Sequence, residues 1–542
     1  MMPDWAEGYV TDAIYTDGFY RELSPAWINY VAALKGCLPV PTDRPFVFLE
    51  LGCGLGRSTT ILAGAFPQGR FIGVDFNPAH VALARQYAAD MRIGNAEFQE
   101  ASFQDLARSD LPQCDFIVLH GVYTWVSPEA RAAIRQIVRD RLRAGGFVYV
   151  SYNCLPGWSS AAPLRKLLYE AASEHAGPIG GNVAPALKVM EELVEASLGF
   201  FRANESVANE VKGFRERGAN YLAHEYLNAD WSLFYSVDVA DEMADAKLTY
   251  VGSGTLPENH LDLMVDEKTA AKIEARPTAR MRQLLLDFAI NQRFRRDIFV
   301  RGHQKLQGSI QRDLIAQVPF ATLKPESAFT PKVKVGRGEI AFHERLFPVL
   351  KEAFQGGVHT IRDLNQLAAK SLGRAANTDR TTLLMAAAGH IMPCAVGHIA
   401  VKPPEALSGV SVMGEINRAV LALALNQGGR QHFVSRVGGT GIPCEPLDAI
   451  LLDLLGSARR DAKALQKPLC AAMKSRNLRI TRKGEAVKDE AEEQKVAGEI
   501  IERFLVDRLP VLVRLGVVEA AQARSGKSTR NGQEQLNAAA EA

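Results

Sequence analysis

Glu50-Leu51-Gly52-Cys53-Gly54-Leu55-Gly56 follows an apolar run, Phe46–Leu51, and precedes a stretch of helical character. Three glycines at every second position let a strand-to-helix turn take left-handed backbone angles and let a ligand approach the main chain. Outward from this loop, Phe71–Asp75, Glu97–Glu100, Asp115–His120 and Phe147–Tyr152 read as further strands. The segments Asn77–Met91 and Glu129–Leu142 between them read as helices. Continuous apolar strands separated by helices of that length predict an α/β chain with a doubly wound, Rossmann-like parallel sheet covered on both faces.

A dinucleotide fingerprint would place its third glycine at position 57, where Arg57 stands. The G-x-G-x-G spacing, with Glu50 two residues before it, suits a nucleoside ligand that lacks a pyrophosphate. Asp75 ends the second strand, where a carboxylate can accept both ribose hydroxyl hydrogens. These features together point to S-adenosylmethionine (SAM). An NAD-dependent dehydrogenase is the competing reading of the same fold. Ser525-Gly526-Lys527-Ser528-Thr529 ends like a phosphate-binding loop, but Ala521 replaces the required first glycine and no strand precedes it.

The 542 residues carry 63 Lys+Arg against 61 Asp+Glu, a formal net charge of +2, and 47% hydrophobic residues. This length predicts several domains, and the near-neutral balance argues against a dedicated polyanion binder. Seven widely spaced cysteines with no C-x-x-C pair fit neither a zinc ribbon nor a disulfide framework, so reduced thiols, no metal site and a cytoplasmic setting are expected. Met1–Gly8 shows no signal-peptide pattern. The uncharged stretch Leu383–Val401 contains Pro393 and reads as core helix followed by strand rather than a membrane span.

Residues 1–45 are expected to form cap or lid helices, and 46–270 the SAM-binding domain with a helical insertion at 156–230. A helix and strand within Val239–Val251 would complete the sheet. Beyond 270, a helix at Met281–Phe294 falls in a helical linker region at 271–335, and a helix at Phe342–Phe354 opens the next unit. Helix, helix and strand over Thr360–Ala368, Thr378–Gly389 and the run to Val401 predict a winged-helix-like unit at 336–403. A helical domain at 404–520, helical through Val496–Val517, and a disordered tail at 521–542 follow.

Several segments occur in a familiar order: Tyr15-x4-Tyr20-x3-Ser24-Pro25, the glycine loop, Gly73-Val74-Asp75-Phe76-Asn77-Pro78, His120-Gly121-Val122-Tyr123-Thr124-Trp125-Val126 and Ser151-Tyr152-Asn153-Cys154-Leu155-Pro156-Gly157-Trp158. The series resembles bacterial class I methyltransferases with a methyltransferase regulatory domain, a group that includes the rickettsial-type protein lysine methyltransferases. His224-Glu225-Tyr226-Leu227 and Phe294-Arg295-Arg296-Asp297 resemble the regulatory portion. The resemblance implies methyl transfer from SAM, with protein lysine among the acceptors.

In such a sheet the ligand lies beyond the carboxyl ends of the strands. Gly52, Gly54 and Gly56 are expected along the methionine portion and Asp75 at the ribose. Phe76, Ser102 and Phe103 are expected at the adenine, and His120 and Gly121 beside the sulfonium. An amine acceptor must lose a proton, since a lysine pKa is about 10.4. Tyr123, Tyr152, Asn153 and His120 are the candidate catalytic residues, with Tyr123 leading. His120 reads either as a base or as a SAM contact. Tyr15, Tyr20, Trp125 and Trp158 are candidates for the acceptor side, although both tryptophans can equally anchor loops. A protein amine leads as acceptor, a small molecule follows, and a non-catalytic SAM sensor is the alternative class. The basic run Lys474, Arg476, Arg479, Arg482, Lys483 and Lys488 permits a nucleic-acid reading, which the lack of aromatic residues for base stacking disfavours.

Overall fold

The computed structural model describes residues 8–11, 18–395, 410–456, 462–482 and 485–520. Seven strands, β1 (Phe46–Leu51), β2 (Gly69–Asp75), β3 (Ala96–Glu100), β4 (Cys114–Leu119), β5 (Leu142–Asn153), β6 (Leu248–Ser253) and β7 (Phe294–Arg301), make one sheet in the order β3-β2-β1-β4-β5-β7-β6. β1 to β5 pair in parallel, and β7 runs antiparallel to both β5 and β6. Helices α1 (Pro25–Leu34), α2 (Arg57–Ala65), α3 (Pro78–Asp90), α4 (Phe103–Arg108) and α5 (Pro128–Arg141) flank it. Phe48, Phe71 and Phe116 pack on one face of the sheet, while Leu49, Ile72 and Ile117 pack on the other. Adjacent residues of a strand point to opposite faces, so a doubly covered sheet needs apolar side chains at consecutive positions.

β7 corrects the helical expectation for Met281–Phe294. The helix there ends at Ala289, Asn291 takes a φ of 49°, and Phe294 starts a strand that pairs residue for residue with Phe147–Asn153. Arg295 and Asp297 give this strand a polar sequence, yet both are buried. Arg295 bridges Asp297 at 2.8 Å and Asp287 at 2.5 Å, and also donates to the Tyr250 hydroxyl at 2.9 Å. Mutual neutralisation removes the cost that an unpaired buried charge would carry. The sheet therefore extends beyond the expected boundary at 270.

The insertion at 156–230 is helical and has its own core, built around Trp158, Leu168, Met190, Phe214 and Tyr226. It ends in α6 (Ala219–Tyr226). Further on, helices Leu346–Gly356, Ile361–Leu372 and Asp379–Ala387 accompany a three-stranded sheet of 319–321, 359–360 and 392–393. The expected strand running to Val401 is seen only as Met392–Pro393, and 396–401 lie outside the described residues.

The 404–520 region is not purely helical. An antiparallel hairpin, Gln431–Ser435 with Thr440–Cys444, lies against α2, and Val410–Val412 pairs with Val518–Ala520. The stretch Val496–Val517 is helical as far as Arg514. Within the basic run, Lys474 pairs with Glu493 at 2.7 Å and Arg482 with Glu499 at 3.0 Å, so part of its charge is neutralised. Lys483 and the 521–542 segment, including Ser525–Thr529, lie outside the described residues. All seven cysteines are buried free thiols. Among the described residues, no helix is long and apolar enough to cross a membrane.

Candidate active site

The carboxyl ends of β1, β2 and β4 open into a cleft. Its walls include the glycine loop, Asp75, Phe76, His80, Ser102, Phe103, His120, Gly121, Val122 and Trp125, with Tyr9 and Tyr20 from the N-terminal segment. Gly52, Gly54 and Gly56 take φ values of 71°, 52° and 69°. At two of them the need for glycine is also steric. A Cβ on Gly52 would meet Val122 Cγ2 at 2.5 Å, and one on Gly56 would meet Phe98 and Ala84 at 2.6 and 2.7 Å.

Asp75 joins the loop to the second strand. One carboxylate oxygen accepts the Gly54 N–H at 2.9 Å; the other accepts the Asn77 N–H at 2.9 Å and lies 3.3 Å from His80 Nδ1. Glu50 is buried and accepts the Thr59 hydroxyl of α2, and burial pushes its carboxyl up to about 7. Ser102 caps α4 by accepting the Asp105 N–H at 3.1 Å, and the next residue, Phe103, lines the cleft as Phe76 does.

His120 packs closely against Tyr20, ring centroids 3.8 Å apart and planes tilted by 34°, and its Nδ1 lies 3.0 Å from the Tyr149 hydroxyl. Burial and the Arg296 charge lower its pKa to about 3. A neutral imidazole this reluctant to protonate is a poor general base. Gly121, at a φ of 66°, donates its N–H to Ser151 Oγ at 2.9 Å.

The acceptor-side expectations divide sharply. Tyr123 is fully buried away from the cleft; its hydroxyl donates to Glu242 and lies 3.4 Å from Arg135. Tyr152 is also fully buried and donates to Asp297 Oδ2 at 2.5 Å. Neither touches the cavity, which corrects their assignment as catalytic residues. Trp158 packs among Tyr226, Trp231 and the Arg293 guanidinium, 4.0 Å above its ring, and is a core anchor of the insertion. Tyr15 lies outside the described residues.

Trp125 does line the cleft, and its Nε1 donates to the Glu225 carbonyl at 3.3 Å. Asn153 points to the opposite face from Tyr152. Its N–H donates to Thr124 Oγ1 at 2.8 Å and its amide to Glu225 Oε1 at 3.0 Å.

The sequence reading missed Tyr9 and His80, both of which line the cleft. Tyr9 stands edge-on to Phe76 at 5.8 Å and beside His224 at 5.5 Å. Its strand-like neighbours are tied down by Ala229, which donates to the Gly8 carbonyl at 2.8 Å, and by Asn228 Oδ1, which accepts the Val10 N–H at 2.8 Å. The signal available in sequence was the His224–Leu227 segment itself, which carries Glu225 but names no partner.

The residues present fit SAM. A glycine-lined main chain, a pinned carboxylate at the end of β2 and aromatic side chains beside it supply the contacts that a methionine chain, a ribose and an adenine need. Arg57 offers no pyrophosphate clamp: its guanidinium lies 3.6 Å over the Tyr87 ring and reaches Gln431.

Comparison with known proteins agrees with this geometry. Residues 49–148 match the family model described as "Methyltransferase domain", and residues 218–301 match "Predicted methyltransferase regulatory domain". An uncharacterised protein of Synechocystis sp. is 33% identical over 516 residues, covering 95% of this chain and 99% of its own. A trans-aconitate 2-methyltransferase of Streptomyces coelicolor is 35% identical over 136 residues, 24% of this chain and 41% of its own. The structure of PKMT2 from Rickettsia typhi in complex with AdoHcy shares the fold, with a TM-score of 0.69 at 19% identity, over 93% of this chain and 99% of that one. The chain belongs to the class I SAM-dependent methyltransferases that carry a methyltransferase regulatory domain.

Proposed function

We propose that the methyl acceptor is an amine and that protein lysine is its leading source. The observation that carries this reading is the aromatic wall beside the carboxyl end of β4. There Tyr9, Tyr20 and Trp125 face the cavity next to His120 and Gly121. Aromatic faces attract an ammonium and pack a methylated product. The resemblance to the rickettsial-type enzymes supports the same class.

SAM supplies an activated methyl group on a sulfonium. The protein's part is to hold and align. Asp75 fixes the glycine loop and offers acceptor capacity to ribose hydroxyls, and Phe76 and Phe103 flank the base. His120, neutral and packed against Tyr20, adds no competing charge near the sulfonium. Tyr9 and Tyr20 close the cavity from the N-terminal side and exclude water, which favours displacement by a nitrogen lone pair over solvent.

Incubation with tritiated-methyl SAM and host lysate, separated into protein, RNA and small-molecule fractions, tests the reading. Acid- and base-stable label in protein, recovered as methyl-lysine after hydrolysis, is the expected result. Label confined to small molecules would overturn it.

A further inference from the structure

We propose that Glu225 is the carboxylate that receives the cationic amine of the acceptor and takes its proton. The proposal rests on the amine reading above. Glu225 is half-buried on α6, where Trp125 and Asn153 meet it from the ends of β4 and β5. That is the edge of the sheet at which an acceptor must approach a cofactor held by the glycine loop. Tyr9 carries the connection to the cofactor side, since its ring touches both His224, the neighbour of Glu225, and Phe76.

The charge arrangement around Glu225 is the second observation. Arg293 and Arg217 are near enough to act on it electrostatically, yet both are committed to Glu210, at 2.6 and 3.5 Å. Asn153 holds Oε1, and among the described residues no cation pairs with the Glu225 carboxylate. A half-buried carboxylate without a counter-ion keeps a charge that its neighbours do not neutralise, and a ligand ammonium is the natural partner. Burial also raises its pKa, which brings its basicity toward that needed for proton transfer from an amine. Tyr221, one turn earlier on α6 and exposed, stands on the solvent side and gives an approaching cation an aromatic face.

The step balances without another reactant. The ammonium gives one proton to Glu225, leaving a neutral amine and a carboxyl group. The nitrogen lone pair forms the N–C bond as the C–S bond breaks, and that bonding pair goes to sulfur. Glu225 then releases its proton to solvent as the methylammonium product leaves.

Glu225→Gln keeps the oxygen that Asn153 contacts and removes the charge; Glu225→Asp keeps the charge on a shorter arm. The full chain with each substitution is measured for SAM affinity by calorimetry, for n-butylamine binding in the presence of S-adenosylhomocysteine, and for methyl transfer to lysate protein. SAM affinity within about 3-fold of wild type is expected for both variants. Glu225→Gln is expected to lose n-butylamine binding and to slow transfer by about 100-fold or more, with partial recovery in Glu225→Asp. Wild-type transfer and amine binding in Glu225→Gln would overturn the proposal. Loss of SAM binding in that variant would also overturn it, by assigning Glu225 a structural role. If wild type itself labels no amine, the amine reading fails, which is distinguishable from failure at Glu225 alone.

Discussion

The carboxylate of Asp75 accepts the backbone N–H of Gly54 at 2.9 Å, so the residue read as the ribose ligand also holds the glycine loop in shape. That one side chain ties the end of β2 to the loop that follows β1. Asp75→Ala is expected to weaken SAM binding by at least about 100-fold, since two charge-assisted hydrogen bonds and the loop's anchor are lost together. Asp75→Asn should lose less. Calorimetric titration checks the order, and equal affinities in wild type and Asp75→Ala would contradict it.

Gly56 begins α2 in the left-handed region, and its missing Cβ is the space that Phe98 and Ala84 occupy. Gly56→Ala should destabilise the catalytic domain by about 2 to 4 kcal/mol through backbone strain and overpacking. A urea unfolding midpoint unchanged from wild type would show that α2 can shift to accommodate the methyl.

Tyr123 belongs to an Arg135–Glu242 network rather than to the cleft. Tyr123→Phe is therefore expected to leave kcat within about 3-fold of wild type while lowering stability by about 1 kcal/mol. A collapse of turnover with stability intact would return Tyr123 to the acceptor site.

Ser24 serves two elements at once. Its hydroxyl oxygen accepts the Ala26 N–H at 3.2 Å as the cap of α1, and the same hydroxyl donates to the Gly439 carbonyl of the C-terminal region at 2.7 Å. Nearby, Phe19 packs against His432 at 5.4 Å, beside Gly18 and Tyr20 of the cleft wall. Ser24→Ala should cost about 1 to 2 kcal/mol. It should also raise proteolytic susceptibility around residue 439, read by limited digestion and mass mapping; a digestion pattern identical to wild type would refute the tie.

Glu50 gives stability a defined pH dependence. Its folded pKa of about 7 lies above the ordinary 4.5, so the folded chain binds more protons between those values. Its contribution is fully favourable below about pH 4.5 and declines as pH rises toward 7, by about 3 kcal/mol in all. Glu50→Gln removes the titration. The stability difference, variant minus wild type, should therefore grow between about pH 5 and pH 7.5 in urea melts; a constant difference would show that Glu50 is ionised throughout.

The glycine loop and the carboxylate at the end of β2 were legible because they are local. Gly52, Gly54, Gly56 and Asp75 lie at one strand-to-helix turn and the end of the next strand, where backbone sterics restrict the residue type. The directions taken by the side chains after β4 and β5 were not. Tyr152 and Asn153 are neighbours in one motif, but strand alternation sends the first to Asp297 and the second to Glu225. β7 was hidden because the charges of Arg295 and Asp297 neutralise each other only once Asp287 and Tyr250 are brought beside them.

The sequence alone thus determined a class I sheet, its SAM loop and the family to which both belong, since each rests on short-range periodicity and turn chemistry. Tertiary structure decided which aromatic residues face the cavity and which hold the core. It also decided that Glu225, 72 residues beyond Asn153, accepts a hydrogen bond from the Asn153 side chain. Long-range packing sets the direction in which a side chain points, and no local pattern encodes that.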